Sequence, residues 1–193
     1  GGLSIGFGNS DFELTLANDI SENEIETFRK NLKITHPETD PANIISGDIR
    51  DLYTYLDIPG PESYQLNLLS VQTKNEISKK NKSSDLKNDK FVSNLIDSIK
   101  DIDVIVGGPP CQGFSVIARS KKGSKSLRSF GFVDDPRNQL FKYFLNFVEK
   151  FNPKLVLIEN VKGITSASNY SHLIEDSLAH TGKGYKVSSE ILN

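Results

Sequence analysis

Apolar residues in this chain alternate between two rhythms: short unbroken runs, and stretches in which they recur every three or four positions. Asp103-Val104-Ile105-Val106 and Leu155-Val156-Leu157-Ile158 are continuous runs, the pattern of parallel strands covered on both faces. Two further strands are predicted over Glu13–Asp19 and Asn43–Ser46, with Asp19 and Asp48 at their carboxyl ends. Helical spacing marks Ser21 to about Leu32, where a Ser cap and acidic first turn precede Ile25 and Phe28. The same spacing predicts helices over Phe91–Ile99, Asn138–Phe151 and Ser171–His180, the second ended by Pro153. A last strand is expected from Tyr185 to Leu192. Between Ile58 and Lys90 the rhythm dissolves into a Pro-Gly-Pro turn and a Lys-, Asn- and Ser-rich stretch, which reads as a flexible insertion.

Strands alternating with helices predict an α/β fold built on a doubly wound, mostly parallel sheet. Ligands of such sheets bind at the carboxyl ends of the strands. Here those ends carry Asp19, Asp48, Cys111 and Glu159. A length of 193 residues suits one such domain. The formal charge of −2 provides no global field to draw a polyanion, so any contact with one must be local. Neither a membrane-length apolar run nor a signal-peptide pattern is present, which predicts a soluble, cytoplasmic protein. The chain opens on Gly1-Gly2 and contains no Met, so it is expected to be a fragment.

One cysteine cannot form an internal disulfide, and its thiol is left for chemistry. Cys111 follows Gly107-Gly108-Pro109-Pro110, a stiff turn after a buried strand that holds the side chain at a sheet edge. A thiolate displayed there can attack an electron-poor carbon. Glu159 ends the other continuous strand. It is either a solvated strand end or, if half-buried, an acid tuned for proton donation. After Cys111, the residues Arg119, Lys121, Lys122, Lys125 and Arg128 meet no acid before Asp134. That makes a cationic loop, either simply solvated or a phosphate-binding lid.

Gly107-Gly108-Pro109-Pro110-Cys111-Gln112-Gly113-Phe114-Ser115 resembles the catalytic Pro-Cys motif of the DNA cytosine-5 methyltransferase family, and Glu159-Asn160-Val161 resembles its second catalytic motif. Asp135-Pro136-Arg137-Asn138-Gln139-Leu140-Phe141 lies between them, as in the family. The resemblance implies a Rossmann-like, S-adenosylmethionine-dependent methyltransferase fold, here a partial catalytic domain over residues 1–193 that lacks the target-recognition region. It further implies that Cys111 adds to C6 of a flipped-out cytosine while Glu159 protonates the N3/N4 edge, with Pro110 and Asn160 shaping the pocket.

For the cofactor, Gly1 and Gly2 are similar to the tail of the family's glycine-rich loop, and Asp19 with Ile20 to its ribose-binding position. Asp48 and Ile49 match the pair placed against adenine, and Leu140 is either a further apolar contact or a core helix residue. Gln112, Ser115, Arg119, Lys121 and Lys122 fall where the family contacts nucleic acid. The implied cofactor is S-adenosylmethionine, leaving as S-adenosylhomocysteine, with no metal. The implied partner is double-stranded DNA, bound by a monomer in a bacterial cytoplasm, alongside a restriction endonuclease. A transfer-RNA cytosine-5 methyltransferase uses the same site, so that alternative stays open, as does a non-catalytic fragment.

Overall fold

A computed structural model describes residues 2–56, 89–110, 140–161 and 168–192. These form two compact units, one of residues 2–56 and 89–101 and one of residues 102–110, 140–161 and 168–192. Each contains a two-stranded parallel sheet flanked by helices, so the architecture is mixed α/β.

In the first unit the elements are α1 (Gly2–Gly8), β1 (Ala17–Asp19), α2 (Glu22–Thr35), a 3-10 turn (Pro41–Asn43), β2 (Ile44–Ser46), α3 (Ile49–Tyr53) and α4 (Asp89–Ser98). Helix α2 turns Ile25, Phe28 and Leu32 inward at helical spacing, and these bury against Ile44 of β2 with Ile5, Leu14 and Ala17 beside them. Strands β1 and β2 pair in register Ala17↔Ile44, Asn18↔Ile45 and Asp19↔Ser46.

Four expectations are corrected here. Strand β1 spans three residues where seven were expected, because its partner begins only at Ile44, after the turn over Pro41–Asn43. The Gly-rich start is a helix rather than a loop tail, with Ile5 half-buried beside the α2 core. Ser21 occupies the N-cap position of α2 without a side-chain capping bond, and its backbone N–H instead donates to Asp19 Oδ1 at 2.9 Å. Helix α4 starts at Asp89, inside the stretch expected to be an insertion, while residues 58–88 of that stretch lie outside the described residues. Val92 and Ile96, one turn apart, are the buried side of α4.

The second unit contains β3 (Val104–Gly107), α5 (Leu140–Phe151), β4 (Leu155–Ile158) and α6 (Ser168–His180). Both continuous apolar runs are strands, paired in parallel from Val104↔Leu155 to Gly107↔Ile158. Phe141, Phe144, Leu145 and Val148 of α5 bury with Ile174 and Leu178 of α6, and Ile105, Val156 and Ile158 supply the sheet side of that core. Residues 185–192 are not a strand, because among the described residues no strand pairs with them. The segment is held by single contacts instead. Tyr185 donates from its backbone N–H to the Leu178 carbonyl at 3.1 Å and from its hydroxyl to that of Pro153 at 2.8 Å. Gly184 makes the preceding turn at φ +76°, where a Cβ would sit 2.8 Å from the Ala179 carbonyl oxygen. Among the described residues no helix is long and apolar enough to cross a membrane.

Gly107 sits where β3 passes under α5, and a Cβ there would lie 2.5 Å from Phe144 Cε2. Gly107→Ala is therefore expected to cost about 1–3 kcal/mol of stability through overpacking. Urea unfolding of Gly107→Ala, Phe144→Leu and the double variant checks this, with the double variant losing less than the sum of the singles.

Candidate active site

The parallel register of β3 and β4 brings their carboxyl ends side by side, and Glu159 N–H continues the ladder by donating to the Gly107 carbonyl at 2.9 Å. Two motifs more than fifty residues apart in sequence thus leave the sheet together. Glu159 is exposed, and its Oε2 lies 3.4 Å from the position a Cβ would take on Gly108. The absence of a side chain at Gly108 leaves room for that carboxylate beside the turn.

Asn160 joins the two turns directly. Its Nδ2 donates to the Pro109 carbonyl at 2.9 Å, and its Oδ1 accepts from Val161 N–H at 2.8 Å. One amide therefore braces its own loop and the Pro109-Pro110 segment that leads into Cys111. Such a bond contributes about 1 kcal/mol, and here it also fixes the relative position of two chain segments. Pro110 is half-buried at the end of this described stretch. Cys111, Gln112, Ser115, Arg119, Lys121 and Lys122 lie outside the described residues, with Lys125, Arg128 and the segment 135–139. Leu140 opens α5 and is half-buried.

In the first unit, the carboxyl ends of β1 and β2 form a second such edge. Asp19, the last residue of β1, accepts Gly47 N–H on its backbone carbonyl at 2.9 Å. Asn18 Nδ2 donates to the carbonyls of Ile45 (3.2 Å) and Gly47 (2.8 Å), which braces the turn that presents Asp48. Asp48 caps α3 by accepting Arg50 N–H at 2.9 Å. Burial pushes its carboxyl upward, but the Arg50 side chain, backbone N–H and positive charge together hold it below the ordinary carboxylate range. Ile49 is half-buried and Ile20 is 69% exposed, so one edge offers two carboxylates and two apolar side chains. Gly2 lies within α1 with open space around it, and Gly1 is outside the described residues.

The structure brings together Pro110, Glu159 and Asn160 at one strand edge, and Asp19, Ile20, Asp48 and Ile49 at another. Sequence reasoning missed Asn18 and Arg50. Asn18 had no signal beyond lying one residue before a strand-end acid. Arg50 had one, a cation two positions after a helix-capping acid.

A family model described as C-5 cytosine-specific DNA methylase matches residues 61–193. Among curated proteins, the Type II methyltransferase M.DdeI of Desulfomicrobium norvegicum is 42% identical over 99 residues, covering 50% of this chain and 21% of the relative. M1.HphI of Haemophilus parahaemolyticus is 37% identical over 92 residues, 48% of this chain and 23% of the relative. M.FnuDI of Fusobacterium nucleatum is 27% identical over 193 residues, the full chain and 39% of the relative. The chain thus spans well under half the length of these relatives. No solved structure matches it. Over more than half its length the match to the family model is continuous, and the chain belongs to the C-5 cytosine-specific DNA methylase family.

Proposed function

We propose that this chain is part of the catalytic domain of an enzyme that methylates C5 of cytosine in double-stranded DNA, as one member of a Type II restriction-modification pair. The observation that carries the reading is the placement of Glu159 beside Gly108, three residues before Cys111, with Asn160 bonded to Pro109 in the same turn. The family match and the names of the relatives favour DNA over transfer RNA as substrate. A monomer in a bacterial cytoplasm, and a doubly wound Rossmann-like sheet, complete the proposal.

Unassisted, cytosine C5 is too weak a nucleophile to take up an alkyl group. The Cys111 thiolate adds to C6, forming the S–C6 bond, and the displaced electron pair moves through the ring. Glu159 hydrogen-bonds the N3/N4 edge and delivers a proton there, so that the adduct is neutral and C5 gains electron density. Once C5 carries the methyl group, loss of the C5 proton restores the double bond and expels the thiolate, and N3 returns its proton to Glu159. A stacked base cannot offer C6 to a thiolate, so the nucleotide must be flipped into the pocket, at a cost of a few kcal/mol. The cationic residues Arg119, Lys121 and Lys122 would supply phosphate contacts that offset this cost, and Gln112 and Ser115 follow the nucleophile by one and four positions in sequence.

The donor set at the β1–β2 edge fits S-adenosylmethionine. Asp19 offers a carboxylate for ribose hydroxyls, Asp48 an acceptor for the adenine amine, and Ile20 and Ile49 apolar surface for the ring, with Gly2 as a further contact. When bound, this cofactor supplies a methyl group made electrophilic by its sulfonium.

The full chain, given S-adenosylmethionine and a pool of duplexes containing 5-fluorocytosine, is expected to form a covalent protein–DNA adduct, because fluorine cannot leave as the C5 proton does. Cys111→Ser abolishes the adduct, and its persistence in that variant, seen on denaturing gels, contradicts the mechanism. Glu159→Gln is expected to slow adduct formation about 10²–10⁴-fold. Asn160→Ala and Asn160→Asp both lose the donor to Pro109, while only Asp keeps an acceptor for Val161 N–H. Both variants are expected to slow trapping about equally with DNA affinity unchanged, as single-turnover kinetics and filter binding would show.

A further inference from the structure

Asp48 is engaged by one residue on both of its oxygens. Oδ1 accepts Arg50 N–H at 2.9 Å and Arg50 Nε at 3.0 Å, while Oδ2 accepts Nε at 3.0 Å and also Nη2. The single Nε–H is shared between the two oxygens, so Arg50 sets three donors on about four lone-pair sites and engages both oxygens. The two side chains differ in surroundings: that of Asp48 is 17% exposed and that of Arg50 52%. The acid is lodged at the strand edge, and the cation lies half in water.

Taking Asp48 as the acceptor for an adenine amine, a reading on which this step rests, we infer that Arg50 is an internal latch whose guanidinium engages both Asp48 oxygens and competes with the adenine amine for them. The exchange is local. The backbone N–H of Arg50 keeps its bond to Oδ1 and still caps α3, whereas the Nε and Nη2 bonds to the carboxylate give way to the incoming amine. Charge-assisted donors are thereby traded for a neutral one, which lowers apparent affinity for any adenine nucleoside. The latch also makes affinity depend on salt, because ions weaken a half-exposed ion pair while leaving a neutral ligand untouched.

The test titrates adenosine, which is neutral, into the full chain at pH 8, where Asp48 stays ionised with or without Arg50. Ligand-observed NMR reads the dissociation constant for wild type, Arg50→Ala, Arg50→Leu and Asp48→Asn. Both Arg50 variants are expected to bind about two- to five-fold more tightly, the range of a partly exposed ion pair. Raising salt tightens binding to wild type and leaves the Arg50 variants unchanged. This wild-type comparison stands even if the variants fold poorly. Weaker binding by Asp48→Asn together with unchanged or weaker binding by both Arg50 variants overturns the latch but keeps Asp48 as the adenine acceptor. Asp48→Asn binding like wild type removes that acceptor and the latch with it.

Discussion

The parallel pairing of β3 with β4 is the constraint on which the proposed chemistry depends. Its register sets Gly107 opposite Ile158, and the next ladder bond, Glu159 N–H to the Gly107 carbonyl, ties the two exits together at 2.9 Å. A slip of one residue would turn Val156 and Ile158 out of the α5 core and carry Glu159 away from Gly108. The core therefore sets the site geometry: Ile105, Val156 and Ile158 face Phe141, Phe144 and Leu178, and that burial fixes which strand end meets which. Gly107 lets Phe144 approach closely enough to complete the packing, and Gly108 leaves space for a carboxylate. Adjacent glycines thus do different work, one for the fold and one for the site.

The first unit uses the same physical device on a smaller scale. Two three-residue strands end at one edge, and the polar groups there are held by short-range bonds rather than by depth. Asn18 braces the turn at Gly47, Asp19 receives that turn on its carbonyl, and Asp48 is engaged by Arg50. An edge built from exposed or half-buried side chains can exchange partners readily, which suits the proposed role of that edge in binding and releasing a cofactor.

Much of this was legible from residue pattern because the strongest elements carry unbroken apolar runs or a clear helical period. The runs Val104–Val106 and Leu155–Ile158 are strands as their apolar pattern predicts, although β4 exposes Leu155 and Leu157 rather than being covered on both faces among the described residues, and the 3.6-residue spacing of Phe141, Phe144, Leu145 and Val148 predicts the helix α5. Elements that depend on a partner were less legible. Glu13–Leu16 has strand character but nothing to pair with among the described residues, and Tyr185–Leu192 is held by Tyr185 and Val187 against the core instead of by a ladder. Gly2–Gly8 is helical against its composition, with Ile5 half-buried beside the α2 core. At the sites, Glu159 and Asn160 were legible as motif residues, but the bond from Asn160 to Pro109 depends on the strand register and cannot be read along one segment. The pairing of Arg50 with Asp48 depends in turn on the cap geometry of α3.

The central claim is that the Cys111 thiol and the Glu159 carboxylate face one pocket. Because the chain contains a single cysteine, the pH dependence of its alkylation by iodoacetamide reports the thiol pKa without ambiguity. A carboxylate within a few ångströms opposes thiolate formation, so Glu159→Gln is predicted to shift the alkylation profile to lower pH. Superimposable profiles for wild type and Glu159→Gln would contradict the claim.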